Sequence, residues 1–248
     1  MVEIKNNYLF FNKQKEFNRK LFRYFYERLH LFLCTGVYTK EIEIPELVFT
    51  SNKEKIKSYI SSNDINFRAL YDDTTNTILF NSDRYLYTSE TFQFNKDELK
   101  DEIKSFRYII PLSDIYHEQI HSIQYHYTEY LYDDFVEGTD ELFTYIITGQ
   151  MNIDYMKESI SIWYLSRKIL NMNLIDFYIF LRNSIVDYNF NKNYLLINKK
   201  IVKILGKEYN GNISIFYNNL KKDFGKIEYK DEMMKELNKL HNLIFYKY

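Results

Sequence analysis

The sequence predicts an α+β protein, with a small mixed β-sheet and one histidine-bearing helix in the N-terminal half and a mainly helical C-terminal half. Three observations carry this reading. Strand-type segments rich in Tyr, Thr, Phe and Ile lie between residues 41 and 94. Apolar residues recur at helical spacing from residue 96 onward. No Gly/Ser-rich or Pro-rich linker, internal repeat or long run of like charge separates the halves. Residues 1–130 are therefore read as an N-terminal α/β subdomain and residues 131–248 as a helical C-terminal subdomain, together forming one unit.

Along the chain, residues 13–34 carry Phe17, Leu21, Phe25, Leu29 and Phe32 on one helical face. Residues 41–49 are extended, with Pro45 unsuited to an interior strand. A short helix is expected over 52–61, then strands at 66–71 and 76–81 around the turn Asp72–Thr75. More β-type sequence follows at 84–94, and a helix is expected over 97–107. The next helix starts after Pro111, a good first-turn residue, with the stripe Leu112, Tyr116, Ile120, Ile123, Tyr127 and Leu131. Further helices are expected near 135–148, 153–171, 174–187, 196–205 and 229–247, with 206–228 looser because of Gly206, Gly211 and Gly225.

Composition narrows the function classes. With 46% hydrophobic residues, the 248-residue chain can fill a core, and 27% charged with 19% aromatic residues excludes a disordered chain. A net charge of −1, from 33 basic and 34 acidic residues, argues against a nucleic-acid partner. The single cysteine, Cys34, cannot close an internal disulfide and reads as a buried thiol. No apolar run reaches the roughly 18 residues of a membrane span, and no secretory signal is evident, so a cytoplasmic protein without a membrane partner is expected. Alanine occurs once, at Ala69, against 25 tyrosines and 20 phenylalanines, a bias attributed to AT-rich coding and core filling.

Histidine is scarce, so its placement informs. Of five histidines, His117, His121 and His126 fall within ten residues. The first two frame His117-Glu118-Gln119-Ile120-His121, an H-E-x-x-H motif on the helix after Pro111. Positions i and i+4 share a helix face, so two imidazoles can hold one metal ion. Glu118 lies one step round, placed to take a proton from a water that the metal acidifies. By composition, chance produces such a motif in about one chain of this kind in a hundred. His126 points away from that face and reads as a surface histidine.

A catalytic zinc needs a third protein ligand. Glu137, sixteen residues past His121 at the start of the next helix, can point back at the pair. Glu141, one turn on, suits a hydrogen bond to the free N–H of a ligand histidine. A rival role for Glu137 is a capping box with Asp134, in which case Asp140 or Glu141 would supply the ligand.

His117-Glu118-x-x-His121 followed by Glu137-Gly138 and an acidic residue four further on resembles the gluzincin zinc metallopeptidases, with Gln124 also common in such sequences. The resemblance covers roughly residues 66–148 and implies a zincin-like fold with one Zn2+ per chain. It makes His117, His121 and Glu137 the ligands, Glu118 the general base and Glu141 the partner behind a ligand. It also implies a small sheet before the motif helix, in the 66–94 region, whose edge strand binds a peptide or protein substrate by strand addition. A Tyr or His from the C-terminal half would steady the oxyanion, with Tyr155 and Tyr164 as candidates and His241 behind them. The sixteen-residue step from His121 to Glu137 is short for the larger members and implies a compact version.

The expected function is a zinc-dependent endopeptidase or aminopeptidase-like hydrolase. One alternative is a ferritin-like di-iron protein, pairing Glu118-x-x-His121 with Glu27-x-x-His30, although the 66–94 region interrupts a bundle. Another is a non-catalytic zincin-like regulatory or binding protein, for which the intact Glu118 has no use. Peptide deformylase shares H-E-x-x-H, but its cysteine motif is missing around Cys34. The mainly helical C-terminal region carries no motif that reads as a specificity pocket.

Overall fold

The computed structural model describes residues 2–5, 7–33, 44–59, 67–86, 106–125, 133–177 and 213–245. The expectations for Cys34, 87–94, 97–105, His126, Tyr127, Leu131, most of 174–187 and 196–205 lie outside these residues. The chain is mixed α+β and divides into two compact units, Met1–Ile123 and Gln124–Tyr248.

Among the described residues, the first unit holds two three-stranded sheets. In one, β1 (Val2–Lys5), β2 (Tyr8–Phe11) and β6 (Tyr108–Pro111) pair antiparallel in the order β1-β2-β6. Asn7 takes φ +64° in the β1–β2 turn, a conformation asparagine tolerates well. Sequence periodicity does not reveal this sheet, because each strand has four residues and β6 is buried on both faces.

The other sheet has the order β3-β5-β4, from β3 (Glu46–Thr50), β4 (Ala69–Asp72) and β5 (Thr77–Asn81). β4 and β5 form the expected hairpin, and β3 runs parallel to β5. Pro45 stands just before β3, which is an edge strand and therefore tolerates it. Where the expected β-type stretch begins, Ser82–Tyr85 forms a 3-10 turn and Leu86 makes one bridge to Tyr108.

Aromatic rings join the two sheets. Phe49 of β3 meets Phe11 of β2 at 5.5 Å and Tyr108 of β6 at 5.3 Å between centroids, and Phe17 packs edge-on to Phe80 of β5 at 5.2 Å.

The helix expected over 13–34 is shorter, α1 (Arg19–Leu33), preceded by a 3-10 turn at Gln14–Glu16. The cause is local. The Glu16 carboxylate accepts the Asn12 and Lys13 N–H groups at 2.9 and 3.2 Å, closing the turn on itself. Asn18 then caps α1 by accepting the N–H groups of Lys20 and Leu21. The helix buries Phe22, Phe25, Tyr26 and Leu29. Helix α2 (Lys53–Lys57) starts on an Asn52 cap.

β6 runs directly into α3 (Leu112–Tyr125), and the Leu112 N–H donates to the Asn7 carbonyl at 2.8 Å. This bond ties the start of α3 to the first sheet. Leu112, Tyr116, Ile120 and Ile123 are buried as their spacing predicts. Between them, Gln119 is buried too and donates its amide to the Phe22 carbonyl of α1 at 3.1 Å.

The second unit is helical: α4 (Asp133–Thr148), α5 (Met156–Tyr164) continuing through a π turn at Leu165–Ile169, α6 (Ile213–Phe224) and α7 (Lys230–Phe245). α6 corrects the expectation of a looser stretch over Ile213–Phe224, while 206–212 lie outside the described residues. Gly225 does not break it but ends it, its N–H donating to the Lys221 carbonyl at 2.9 Å. α4 packs on α5 and α7. Trp163 and Arg167 both donate to Glu236 of α7, at 3.0 and 2.9 Å.

Gly138 explains how closely α4 and α5 approach: a Cβ there would lie 2.7 Å from the Glu158 carbonyl carbon. A methyl group must therefore push two backbones apart. Gly138→Ala is expected to cost about 1–3 kcal/mol, read as a lowered midpoint in chemical denaturation.

Candidate metal centre

Four polar residues of α3 share one face. At 3.6 residues per turn, Asp114, His117, Glu118 and His121 fall within an arc of about 100°. The opposite side of the same helix buries Ile115, Gln119, Ile120, Ser122 and Ile123. The polar arc is thus held in place by a helix that cannot roll without exposing its core.

Within it, the Nε2 atoms of His117 and His121 lie 2.9 Å apart, their rings perpendicular with centroids at 4.5 Å. Two imidazole nitrogens this close share either one N–H···N hydrogen bond or one cation. A tetrahedral ion with bonds of about 2.0–2.1 Å sets its ligand nitrogens about 3.3 Å apart, so a small adjustment lets both lone pairs point at the same ion. Glu118 is buried, with 7% of its surface exposed.

One ligand atom from each of His117, His121 and Glu137 lies within 4.8 Å of the other two, and among the described residues this is the group that can hold a metal ion. Two nitrogens and one carboxylate oxygen fit a zinc site that keeps an open position, and also suit other divalent first-row ions. The capping-box rival for Glu137 fails locally. α4 already includes Asp133 and Asp134, so Asp134 is no cap and Glu137 sits one turn inside the helix. Asp140 and Glu141, the fallback ligands, are buried but outside the group. One oxygen of Glu141 accepts the Asn152 N–H at 2.8 Å, which fixes the chain after α4.

The other candidates occupy different places. Tyr164 stacks on Phe224 at 4.6 Å and meets Tyr229 at 4.7 Å, so its ring is used in packing α5 against α6. His241 binds the Ile146 carbonyl through Nδ1 at 3.0 Å and covers Gly149, whose φ of +71° ends α4. Tyr155 closes the 3-10 turn before α5, where its carbonyl accepts the Ser159 hydroxyl. Glu27, needed by the di-iron alternative, is exposed and pairs with Arg23 at 2.7 Å.

Compared with known proteins, the chain matches no family model, no curated protein sequence and no solved structure.

Sequence reasoning missed three residues beside the motif. Asp114 Oδ2 accepts the Tyr85 hydroxyl at 2.9 Å and pairs with Arg68 Nη2 at 3.1 Å. The Arg68 guanidinium lies 5.4 Å above the Tyr85 ring. Burial first, then the Asp114 charge, push the Tyr85 hydroxyl well above its ordinary pKa, and Glu118 adds to the shift. Tyr85 therefore stays protonated and donates to Asp114. Asp114 itself was legible, being three residues before His117 on the same face. Its partners are 46 and 29 residues away in sequence and were not.

The site predicts a defined metal stoichiometry. Loaded with zinc and desalted, the chain is expected to retain one ion per molecule by elemental analysis. His117→Ala and His121→Ala should retain none, and Glu137→Ala should bind about 10-fold more weakly or worse.

Proposed function

We propose that this chain is a single-metal peptidase of gluzincin type that hydrolyses peptide bonds, with Zn2+ as the resident ion. The observation that carries the reading is the placement of Glu118. It is a carboxylate on the same helical face as two imidazoles whose Nε2 atoms converge to 2.9 Å. A purely structural metal site gains nothing from a buried acid beside its ligands, whereas hydrolysis needs a base there.

His117, His121 and Glu137 would hold the ion. Bound there, zinc supplies a Lewis acid for the scissile carbonyl and acidifies a water molecule. Glu118 removes a proton from that water as its oxygen attacks the carbonyl carbon. The same carboxylate then delivers the proton to the amine nitrogen as the C–N bond breaks, leaving a carboxylate and an amine. The burial of Glu118 keeps bulk water from competing for the proton. By the same reading an extended peptide would add to an edge of the β3-β5-β4 sheet, where among the described residues β4 pairs with β5 alone.

Glu118→Gln removes the base but neither imidazole. It is expected to lower peptide hydrolysis by about 10²–10⁴-fold while zinc content stays at the wild-type value. Full activity in that variant would refute the mechanism.

A further inference from the structure

The Arg68–Asp114–Tyr85 arrangement has no part in holding a metal or moving a proton, yet it stands on the same face of α3 as both. Asp114 precedes Glu118 by one turn, about 6 Å along the helix axis. Three features make Arg68 a built feature rather than a loose surface side chain. Its backbone is fixed at the start of β4, where its carbonyl accepts the Asn81 N–H at 2.9 Å. Its guanidinium is anchored on Asp114 Oδ2 and lies over the Tyr85 ring. Tyr85 is itself fully buried and donates to the same Asp114 oxygen.

The charge is not spent by this anchoring. A guanidinium has five N–H donors in a planar fork, and the pair with Asp114 is made through Nη2. The Asp114 side chain is 17% exposed, while that of Arg68 is 50% exposed. Arg68 thus presents a rigid, partly solvated cation one helical turn from the proposed base. A carboxylate arriving there gains a charge-assisted, two-pronged contact without the cost of ordering the arginine. Such a group also needs a cation, because Asp114 and Glu118 would otherwise repel it.

We infer that Arg68 is a specificity residue, held by Asp114 and Tyr85 to bind a carboxylate of the peptide substrate close to the scissile bond. This rests on the peptidase reading above. The carboxylate has two sources, an Asp or Glu side chain or the free C-terminus of a short peptide, and the experiment separates them.

Three peptide sets are compared on the zinc-loaded chain: internal Asp or Glu with an amidated C-terminus, no acidic side chain with a free C-terminus, and neutral throughout. Binding of the same peptides to the zinc-loaded Glu118→Gln chain is measured by calorimetry. The expected result is a preference of at least about tenfold in kcat/KM for one carboxylate-bearing set. Arg68→Gln should remove that preference through KM while leaving cleavage of neutral peptides near wild type. Arg68→Lys should recover part of it. Arg68→Gln combined with Asp114→Asn, which leaves no unpaired carboxylate, should behave like Arg68→Gln and serves as the folding control. A preference for the first set assigns the side chain, and for the second the C-terminus. Equal cleavage of all three sets, or a preference that survives Arg68→Gln, overturns the inference. If nothing is cleaved but acidic peptides bind Glu118→Gln in an Arg68-dependent way, the peptidase reading fails and the carboxylate site stands. Binding that does not depend on Arg68 overturns the site.

Discussion

A helix that buries one side completely and gathers Asp114, His117, Glu118 and His121 on the other sets the terms for the rest of the first unit. Groups that water solvates well are costly to withdraw from it unless each finds a partner of opposite charge or a hydrogen bond. Asp114 finds Arg68 and the Tyr85 hydroxyl. The histidine pair finds itself, with Nε2 atoms 2.9 Å apart, a distance that one N–H···N hydrogen bond spans and that a small adjustment opens to admit a cation. The polar face of α3 is therefore partly answered by the protein, and its histidines belong to a group that could hold an ion.

What fixes that face is the anchoring of α3 at both chain and side-chain level. Its first N–H is bound by the Asn7 carbonyl in the turn between β1 and β2, and Gln119 reaches the α1 backbone. Tyr116 adds an edge-on contact to Phe25 of α1 at 5.7 Å. Rotating α3 by even one residue position would break all three and drive Ile115 or Ile120 toward the polar side. Rigid support of this kind sets the placement of Asp114, His117, Glu118 and His121 in advance of any ligand.

How far the sequence shows this depends on whether the signal is local. H-E-x-x-H is a statement about one helix, so the motif, the helix beginning after Pro111 and its buried stripe were all readable in the chain. The β4–β5 hairpin was readable for the same reason, its strands being joined by a turn of Asp and Thr residues. The β1-β2-β6 sheet was not, because Tyr8–Phe11 and Tyr108–Pro111 are short, wholly apolar stretches that meet across nearly a hundred residues. The break before α1 was hidden too, since it depends on Glu16 folding back on Asn12 rather than on hydrophobic period. Arg68 gave no sign at all: an arginine at the start of a strand is unremarkable until the fold sets it on Asp114.

The aromatic excess, which by composition alone signals coding bias and core filling, takes on a second meaning once the rings are placed. With almost no alanine available, the two sheets of the first unit are joined by rings: Phe11, Phe17, Phe49, Phe80 and Tyr108 meet at centroid distances of 5.2 to 5.9 Å. Tyr85 joins this cluster, 6.0 Å from Phe80 and 6.3 Å from Phe49. Its apolar body belongs to the core and its polar tip reaches Asp114. A phenylalanine at that position would fill the same volume but leave Asp114 with one partner fewer, loosening the support under Arg68. Through Tyr85, the packing of the two sheets is carried into the placement of the charge that rests on Asp114, one helical turn before Glu118.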